Sequence, residues 1–234
     1  MQVVIMAGGK GERIANISQG RPKPMIDICG KPLLEYQIET LKKQNFKDIL
    51  LITGFKGVQI QDYFKKGEKW GLNIQYYNEE HPLGTAGALS VLKKDLEKHF
   101  LLINGDLFFE LDFKPLIDFH IGHLPLATVV VQEGTHPEAS TKVVYNKHNV
   151  VTDFLDREDS RGKQLKITNA GIHLLNKDII PDLDKEQFVD LDKDIMKPNI
   201  DKGRILAYFT SEFVEDIGVP DRYYKICNRV RRMI

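Results

Sequence analysis

The residues of this chain best suited to chemistry are cations set beside glycine-rich turns, and that combination suits the handling of phosphate. Ala7-Gly8-Gly9-Lys10-Gly11-Glu12-Arg13 directly follows the apolar run Val3-Val4-Ile5-Met6. Glycines in such a turn let backbone N–H groups approach phosphate oxygens with no Cβ in the way. The loop is not a Walker A motif, because no Gly-Lys-Ser/Thr stands at the required spacing. Nor is it a dinucleotide fingerprint, because Ile14 occupies the third glycine position. A tight strand-to-helix turn without a ligand would use the same glycines, so the neighbouring cations decide between the readings. Arg13 offers a planar fork of donors and Lys23 a point charge, a suitable pair for a polyphosphate. Pro22 and Pro24 restrict the backbone around Lys23 and hold it in one direction. A carboxylate, Asp106, follows Asn104-Gly105 at the end of a second apolar run. Alone, Asp106 reads equally well as a helix N-cap.

Other chemically capable residues read as structural. His120 and His123 stand three apart, but no third ligand is near in sequence, which argues against zinc. Cys29 has no evident activating base and reads as a core thiol. Trp70 and the pair Tyr76-Tyr77 read as packing residues. The chain has 234 residues, 42% of them hydrophobic and 28% charged, enough for one large domain with a full core and a polar surface. Lys plus Arg and Asp plus Glu number 33 each. That balance gives no support to sequence-independent binding of nucleic acid or of an anionic membrane, so any anionic ligand must be held by a local cluster of cations. Two cysteines far apart in sequence fit a reducing cytoplasm. The N-terminal MQVVIMAGG lacks a basic n-region and reads as a buried strand. No apolar run approaches the roughly 18 residues of a membrane span. The expectation is a soluble cytoplasmic protein.

The elements that must position these residues alternate over the first half. Strands are expected at Val3–Met6, Ile49–Ile52, Asn73–Tyr77, Phe100–Ile103 and Ala127–Val131. Helices are expected at Pro32–Gln44, Gly57–Phe64, Thr85–Leu96 and Pro115–His123. Nearly unbroken apolar strands alternating with helices imply a parallel sheet covered on both faces, with ligands beyond the carboxyl ends of the strands. Gly8-Gly9 and Asp106 both fall at such ends. After about residue 132 the pattern changes to short strands at Val143–Tyr145, Val150–Val151 and Ile172–Leu175, as in an antiparallel insertion. A short helix over Phe188–Met196, a strand at Ile205–Phe209, a turn at Glu215–Pro220 and a closing helix from Arg222 to Arg232 complete the reading. The sequence stops in a basic helical stretch, compatible with a piece of a longer polypeptide. The expected fold is α/β, a Rossmann-like mostly parallel sheet flanked by helices. It forms a single domain over 1–234, with a nucleotide-binding core at 1–131, a sugar-binding part at about 132–210 and a closing segment at 211–234.

Gly-Gly-x-Gly-x-Arg, Pro22-Lys23-Pro24 and Gly30-Lys31-Pro32-Leu33-Leu34-Glu35 together resemble the N-terminal signature of the sugar-1-phosphate nucleotidyltransferases. Pro82-Leu83-Gly84-Thr85-Ala86-Gly87-Ala88, Asn104-Gly105-Asp106, Asn169-Ala170-Gly171 and Asp216-Ile217-Gly218-Val219-Pro220 follow in the family's order. The matches run to about residue 222, nearly the whole chain. Each is modestly specific; the ordered set is strong.

The resemblance implies transfer of a nucleotidyl group from a nucleoside triphosphate to a sugar 1-phosphate, with release of pyrophosphate. It implies that Ala7, Gly8, Gly9 and Gly11 cradle the nucleotide while Pro82, Gly84 and Thr85 line its base and ribose. Arg13 and Lys23 would hold the triphosphate, Asp106 and Asp216 would coordinate Mg²⁺, and Asn169 and Gly171 would face the sugar hydroxyls. Relatives carry Glu-Lys-Pro before the Asn-Ala-Gly block; here Asp156-Arg157-Glu158 stands in that region, so Arg157 is the substitute for the sugar phosphate. Glu12 replaces the threonine usual after the third glycine, and the family's left-handed β-helix extension is not in the sequence. The short chain and the Glu-His-Pro-Leu-Gly-Thr-Ala-Gly block most resemble guanylyltransferases acting on D-glycero-D-manno-heptose 1-phosphate. That resemblance implies GTP and a place in lipopolysaccharide or capsule synthesis, and it allows for a homodimer and for a fused or partner phosphatase. Mannose-1-phosphate guanylyltransferases and N-acetylmuramate-1-phosphate uridylyltransferases are close competitors. A catalytically silent nucleotide-sugar sensor is the alternative of another class, against which Arg13, Lys23, Asp106 and Asp216 all weigh.

Overall fold

The computed structural model describes residues 1–11, 14–134, 140–183 and 186–233. In chain order the elements begin with β1 (Gln2–Met6), α1 (Ala15–Ser18), β2 (Asp27–Ile28), β3 (Lys31–Pro32), α2 (Leu33–Lys43) and β4 (Asp48–Thr53). Next come α3 (Gly57–Phe64), β5 (Asn73–Asn78), α4 (Gly84–Val91), β6 (His99–Asn104), β7 (Leu107–Glu110) and α5 (Phe113–His123). The remainder is β8 (Ala127–Glu133), β9 (Lys142–Tyr145), β10 (Val151–Leu155), β11 (Ile167–Asn176), β12 (Ile205–Phe209), β13 (Phe213–Asp216) and α6 (Pro220–Arg231). The fold is the α/β, Rossmann-like class expected, a mostly parallel sheet flanked by helices.

The chain divides into two compact units that interleave along the sequence. The first comprises Met1–Pro82, Ile103–Leu111 and Glu212–Ile234. In it β1, β4 and β5 pair in parallel, Val3 opposite Ile49 and Ile49 opposite Ile74. Val3, Val4, Ile5, Leu51 and Ile52 are fully buried, as unbroken apolar strands covered on both faces require. Helix α2 buries Leu34, Ile38 and Leu41, one stripe at helical spacing. Its Gln37 Nε2 donates to the carbonyls of Asn104 and Leu107 at 3.0 and 2.6 Å, clamping the turn that carries Asp106. Strands β7 and β13 form a separate antiparallel pair, Leu107 opposite Asp216. Phe108 packs in a cluster with Ile26, Ile28, Leu33, Ile217, Ile226 and Val230, which fixes this pair against α6.

The second unit comprises Leu83–Leu102 and Asp112–Ser211. Here β8 pairs antiparallel with β11 and parallel with β12, while β9 and β10 form an antiparallel pair. The antiparallel content read from the second half of the sequence is therefore present. Asp112 caps α5, its side chain accepting the Lys114 N–H at 2.9 Å. Strand β11 is irregular: Asn169 lies opposite Val131 and His173 opposite Val129, so the Asn-Ala-Gly block is a bulge. Bulges of this kind re-aim side chains.

Several elements differ from their expected form. Helix α4 ends at Val91 instead of Leu96. The helix expected over Phe188–Met196 is a π-helical turn, Leu191–Met196, that runs into a 3₁₀ stretch, Lys197–Lys202. Asp216 ends a strand instead of lying within a turn, and β7 follows Asp106 where no strand was expected. Asp106 thus sits between two strands, and the N-cap role does not apply to it. Among the described residues no helix is long and apolar enough to cross a membrane.

Candidate active site

In the first unit the glycine loop leaves β1 at Ala7, whose N–H donates to Ile52 C=O at 2.7 Å and is thereby used by the sheet. Gly8 is half-buried and Gly9 exposed. The backbone N–H of Lys23 reaches Gly9 C=O at 3.4 Å, so the Pro-Lys-Pro segment docks on the loop. Pro22 is extended and Lys23 begins a short 3₁₀ turn, Lys23–Met25, which leaves Lys23 8% exposed. Arg13 lies outside the described residues.

Lys23 Nζ is ion-paired with Asp106, and Arg222 with Asp216. The two carboxylates are neighbours because β7 and β13 are paired; Ile217 N–H also donates to Asp106 C=O at 3.0 Å. Burial and then the Asp106 charge push the Asp216 carboxyl up, while Arg222 and Lys23 pull it down. Two partly buried carboxylates that repel one another form an oxygen-only donor pair suited to a hard divalent cation. Among the described residues no group of three or more His, Cys, Asp or Glu gathers to hold a metal. Arg222 was not anticipated from the sequence. It reads there as one of several basic residues on a closing helix, yet it is 5% exposed and also meets Glu215 Oε1 at 3.2 Å.

In the second unit the two sequence blocks converge on one segment, residues 187–192. Thr85 Oγ1 accepts the Leu191 N–H at 2.7 Å, and the Ala86 N–H donates to Val189 C=O at 2.9 Å. Gly84 has φ +73°, and a Cβ there would stand 2.5 Å from the Val189 oxygen; at Gly87 it would stand 2.4 Å from the Gln187 oxygen. The small residues of this block therefore admit a backbone strand of the protein itself. From the other side Asn169 Nδ2 donates to Asp192 Oδ2 at 3.0 Å and to His173 Nε2 at 3.2 Å, while its Oδ1 accepts the Gly171 N–H at 2.9 Å. Burial lowers the His173 pKa to about 4, so the ring is neutral. Arg157 is exposed on the turn after β10. Its neighbour Asp156 meets Lys193 Nζ at 3.3 Å, which ties this turn to the residue that follows the segment. Pro82, the last residue of the first unit's opening stretch, is exposed.

The histidines and cysteines resolve as structural. His120 lies between His99 Nδ1 at 3.0 Å and Thr128 Oγ1 at 2.8 Å, and His123 Nδ1 meets its own helix at Phe119 C=O. Cys29 and Cys227 are free thiols, and Cys29 Sγ lies 3.7 Å from Cys227 C=O. They are remote in sequence and adjacent in space.

The chain belongs to the nucleotidyl transferase family, whose pattern it matches over residues 2–232. It is 33% identical, over 96% of its length and 97% of the relative's, to a D-glycero-alpha-D-manno-heptose 1-phosphate guanylyltransferase of Campylobacter jejuni. Its fold is similar to the crystal structure of HddC from Yersinia pseudotuberculosis, with a TM-score of 0.84 at 31% identity, covering 98% of this chain and 99% of that one. The same protein complexed with GMP-PN gives a TM-score of 0.81 at 29% identity, with the same coverage.

Proposed function

We propose that this chain is a guanylyltransferase that joins GTP to D-glycero-D-manno-heptose 1-phosphate, releasing pyrophosphate, in the cytoplasmic supply of activated sugar for lipopolysaccharide or capsule. The observation that carries the reading is the partly buried Lys23–Asp106 ion pair beside Asp216, with Lys23 docked on the glycine loop, in a chain similar over nearly its full length to a heptose 1-phosphate guanylyltransferase. The reaction needs positioning and charge dispersal more than proton transfer. The nucleophile is a sugar phosphate oxygen, already anionic at neutral pH, so no general base is required. Lys23, with Arg13 by its place in the sequence, opposes the charge that grows on the departing pyrophosphate. Asp106 and Asp216 would hold Mg²⁺, which supplies neutralisation of the reacting phosphates when bound. Gly8, Gly9 and Gly11 would cradle the triphosphate, and Gly84 and Thr85 would line the base and ribose. Arg157 serves the sugar phosphate.

The test is pyrophosphate release with GTP and heptose 1-phosphate, with and without Mg²⁺. The wild type should turn over only with the metal, and Asp106→Asn should lose at least about 100-fold in kcat with an unchanged fold. Lys23→Ala should lower kcat more than it raises the KM for GTP. A sound Asp106→Asn variant keeping a tenth of wild-type turnover would remove the metal role. Faster GDP-mannose than GDP-heptose formation would keep the class and replace the acceptor.

A further inference from the structure

The sequence predicts a short helix over Phe188–Met196; in the structure the segment 187–192 is contacted by both sequence blocks of the second unit. Thr85 supplies a side-chain acceptor to it, and Gly84 and Gly87 give up their side chains to admit it. The bulge at Asn169-Ala170-Gly171 turns Asn169 onto Asp192. Asn169 has two amide hydrogens, and Asp192 and His173 take both; its oxygen accepts from Gly171. A side chain so committed orients its partner and has no hydrogen left for a ligand hydroxyl. What the network leaves open is Asp192, whose side chain is 21% exposed and whose oxygens retain acceptor capacity beyond Asn169. His173 is 4% exposed, and among the described residues its Nδ1 has no partner. With Nε2 accepting from Asn169, Nδ1 carries the proton, a buried donor that awaits an acceptor.

Resting on the guanylyltransferase reading above, we infer that Asp192 is the residue that reads a hydroxyl of the acceptor sugar, with Asn169 as its positioning residue. A carboxylate accepts from a sugar hydroxyl through a charge-assisted bond, and an acceptor lacking that hydroxyl leaves this partly buried carboxylate with Asn169 as its hydrogen-bond donor and one partner short. That makes the site selective for hydroxyl pattern. The groups facing Asp192 are all consistent with a carboxylate kept poised. Burial first and then Asp190 in its own segment raise its pKa to about 7; the Asn169 hydrogen bond lowers it, and Asp156 adds to the rise. Lys193 is turned to Asp156 at 3.3 Å, and His173 Nε2, uncharged, lies 3.9 Å from Asp192. No described cation therefore pairs with Asp192, and a hydroxyl donor is the complement it accepts.

The experiment compares wild type, Asp192→Asn and Asn169→Ala, with GTP as donor and with heptose 1-phosphate, mannose 1-phosphate and the 2-, 3- and 4-deoxy forms of mannose 1-phosphate as acceptors. Asp192→Asn should raise the KM for the hydroxylated acceptors by about 10- to 100-fold and change the KM for GTP less than about twofold. One deoxy acceptor should lose about tenfold with the wild type and almost nothing with Asp192→Asn. Asn169→Ala should weaken the acceptor less and move the pH midpoint of its KM upward, a readout that loss of packing alone would not give. Unaltered acceptor KM and unaltered deoxy discrimination in a folded Asp192→Asn would overturn the assignment, as would parallel losses for GTP and acceptor. If the wild type transfers to no sugar phosphate, the guanylyltransferase reading fails first and this assignment with it.

Discussion

Asp192 and Asp216 show how environment sorts carboxylates of one type into different tasks. Asp216 is raised by burial and by a facing carboxylate, then restrained by Arg222 and Lys23; a divalent cation would relieve that repulsion. Asp192 has no cation to restrain it, and its pKa near 7 has a consequence for stability. The folded state holds the Asp192 proton more tightly than the unfolded chain, where the group has its ordinary value. Its contribution to stability is therefore full below the ordinary carboxylate range and is lost as pH rises through about 7. Asp192→Asn lacks this titration. Thermal unfolding between pH 4 and pH 8 should show the wild type losing ground to Asp192→Asn as pH rises. A difference that grows in the wild type's favour would contradict a partly buried carboxylate with no cation beside it.

At the scale of elements, α4 provides a substitution whose sign opposes intrinsic propensity. Gly87 is inside the helix, where alanine normally gains about 1 kcal/mol. Here its Cβ would stand 2.4 Å from the Gln187 oxygen, so the segment must move. Gly87→Ala should destabilise by roughly 1–3 kcal/mol and weaken the sugar 1-phosphate, read by denaturant unfolding and acceptor KM. A stabilised Gly87→Ala with an unaltered acceptor would show that the segment does not depend on this close approach. The sequence made this helix legible but not its purpose, because small residues look alike whether they admit a base or a neighbouring backbone. The long apolar strands β1, β4 and β6 were legible because burial on both faces leaves a continuous hydrophobic run. Strands β7 and β13 were not, since each has only four residues and the pairing is between segments about 100 apart. The short helix expected over Phe188–Met196 is present only as the π-turn Leu191–Met196, and the hydrogen bond from Asn169 to Asp192 within it was not legible.

Across the whole molecule, the family blocks are spread over most of the chain, and folding sorts them into two sets. The first unit collects the glycine loop, Lys23, Asp106, Asp216 and Arg222; the second collects Gly84, Thr85, Arg157, Asn169 and Gly171, with Asp192 at their focus. The first set is one of cations and paired carboxylates, the inventory of phosphate chemistry. The second holds neutral groups and a partly exposed carboxylate, with Arg157 exposed on the turn after β10, an inventory compatible with the sugar-phosphate role proposed for it. Residue types beside glycine turns suggested Lys23 and Asp106, and the family resemblance added Asp216, whereas Arg222 was hidden among the basic residues of the closing helix. The second set depended on a bulge and a π-turn, backbone irregularities that carry no simple periodicity. The central claim is that these two inventories serve guanylyl transfer to a heptose 1-phosphate. The most direct measurement supplies GTP, ATP, UTP and CTP at equal concentration with D-glycero-D-manno-heptose 1-phosphate and Mg²⁺ and identifies the products by mass. Predominant GDP-heptose with stoichiometric pyrophosphate is the predicted result; a predominant UDP-, CDP- or ADP-sugar, or no nucleotide sugar at all, would contradict it.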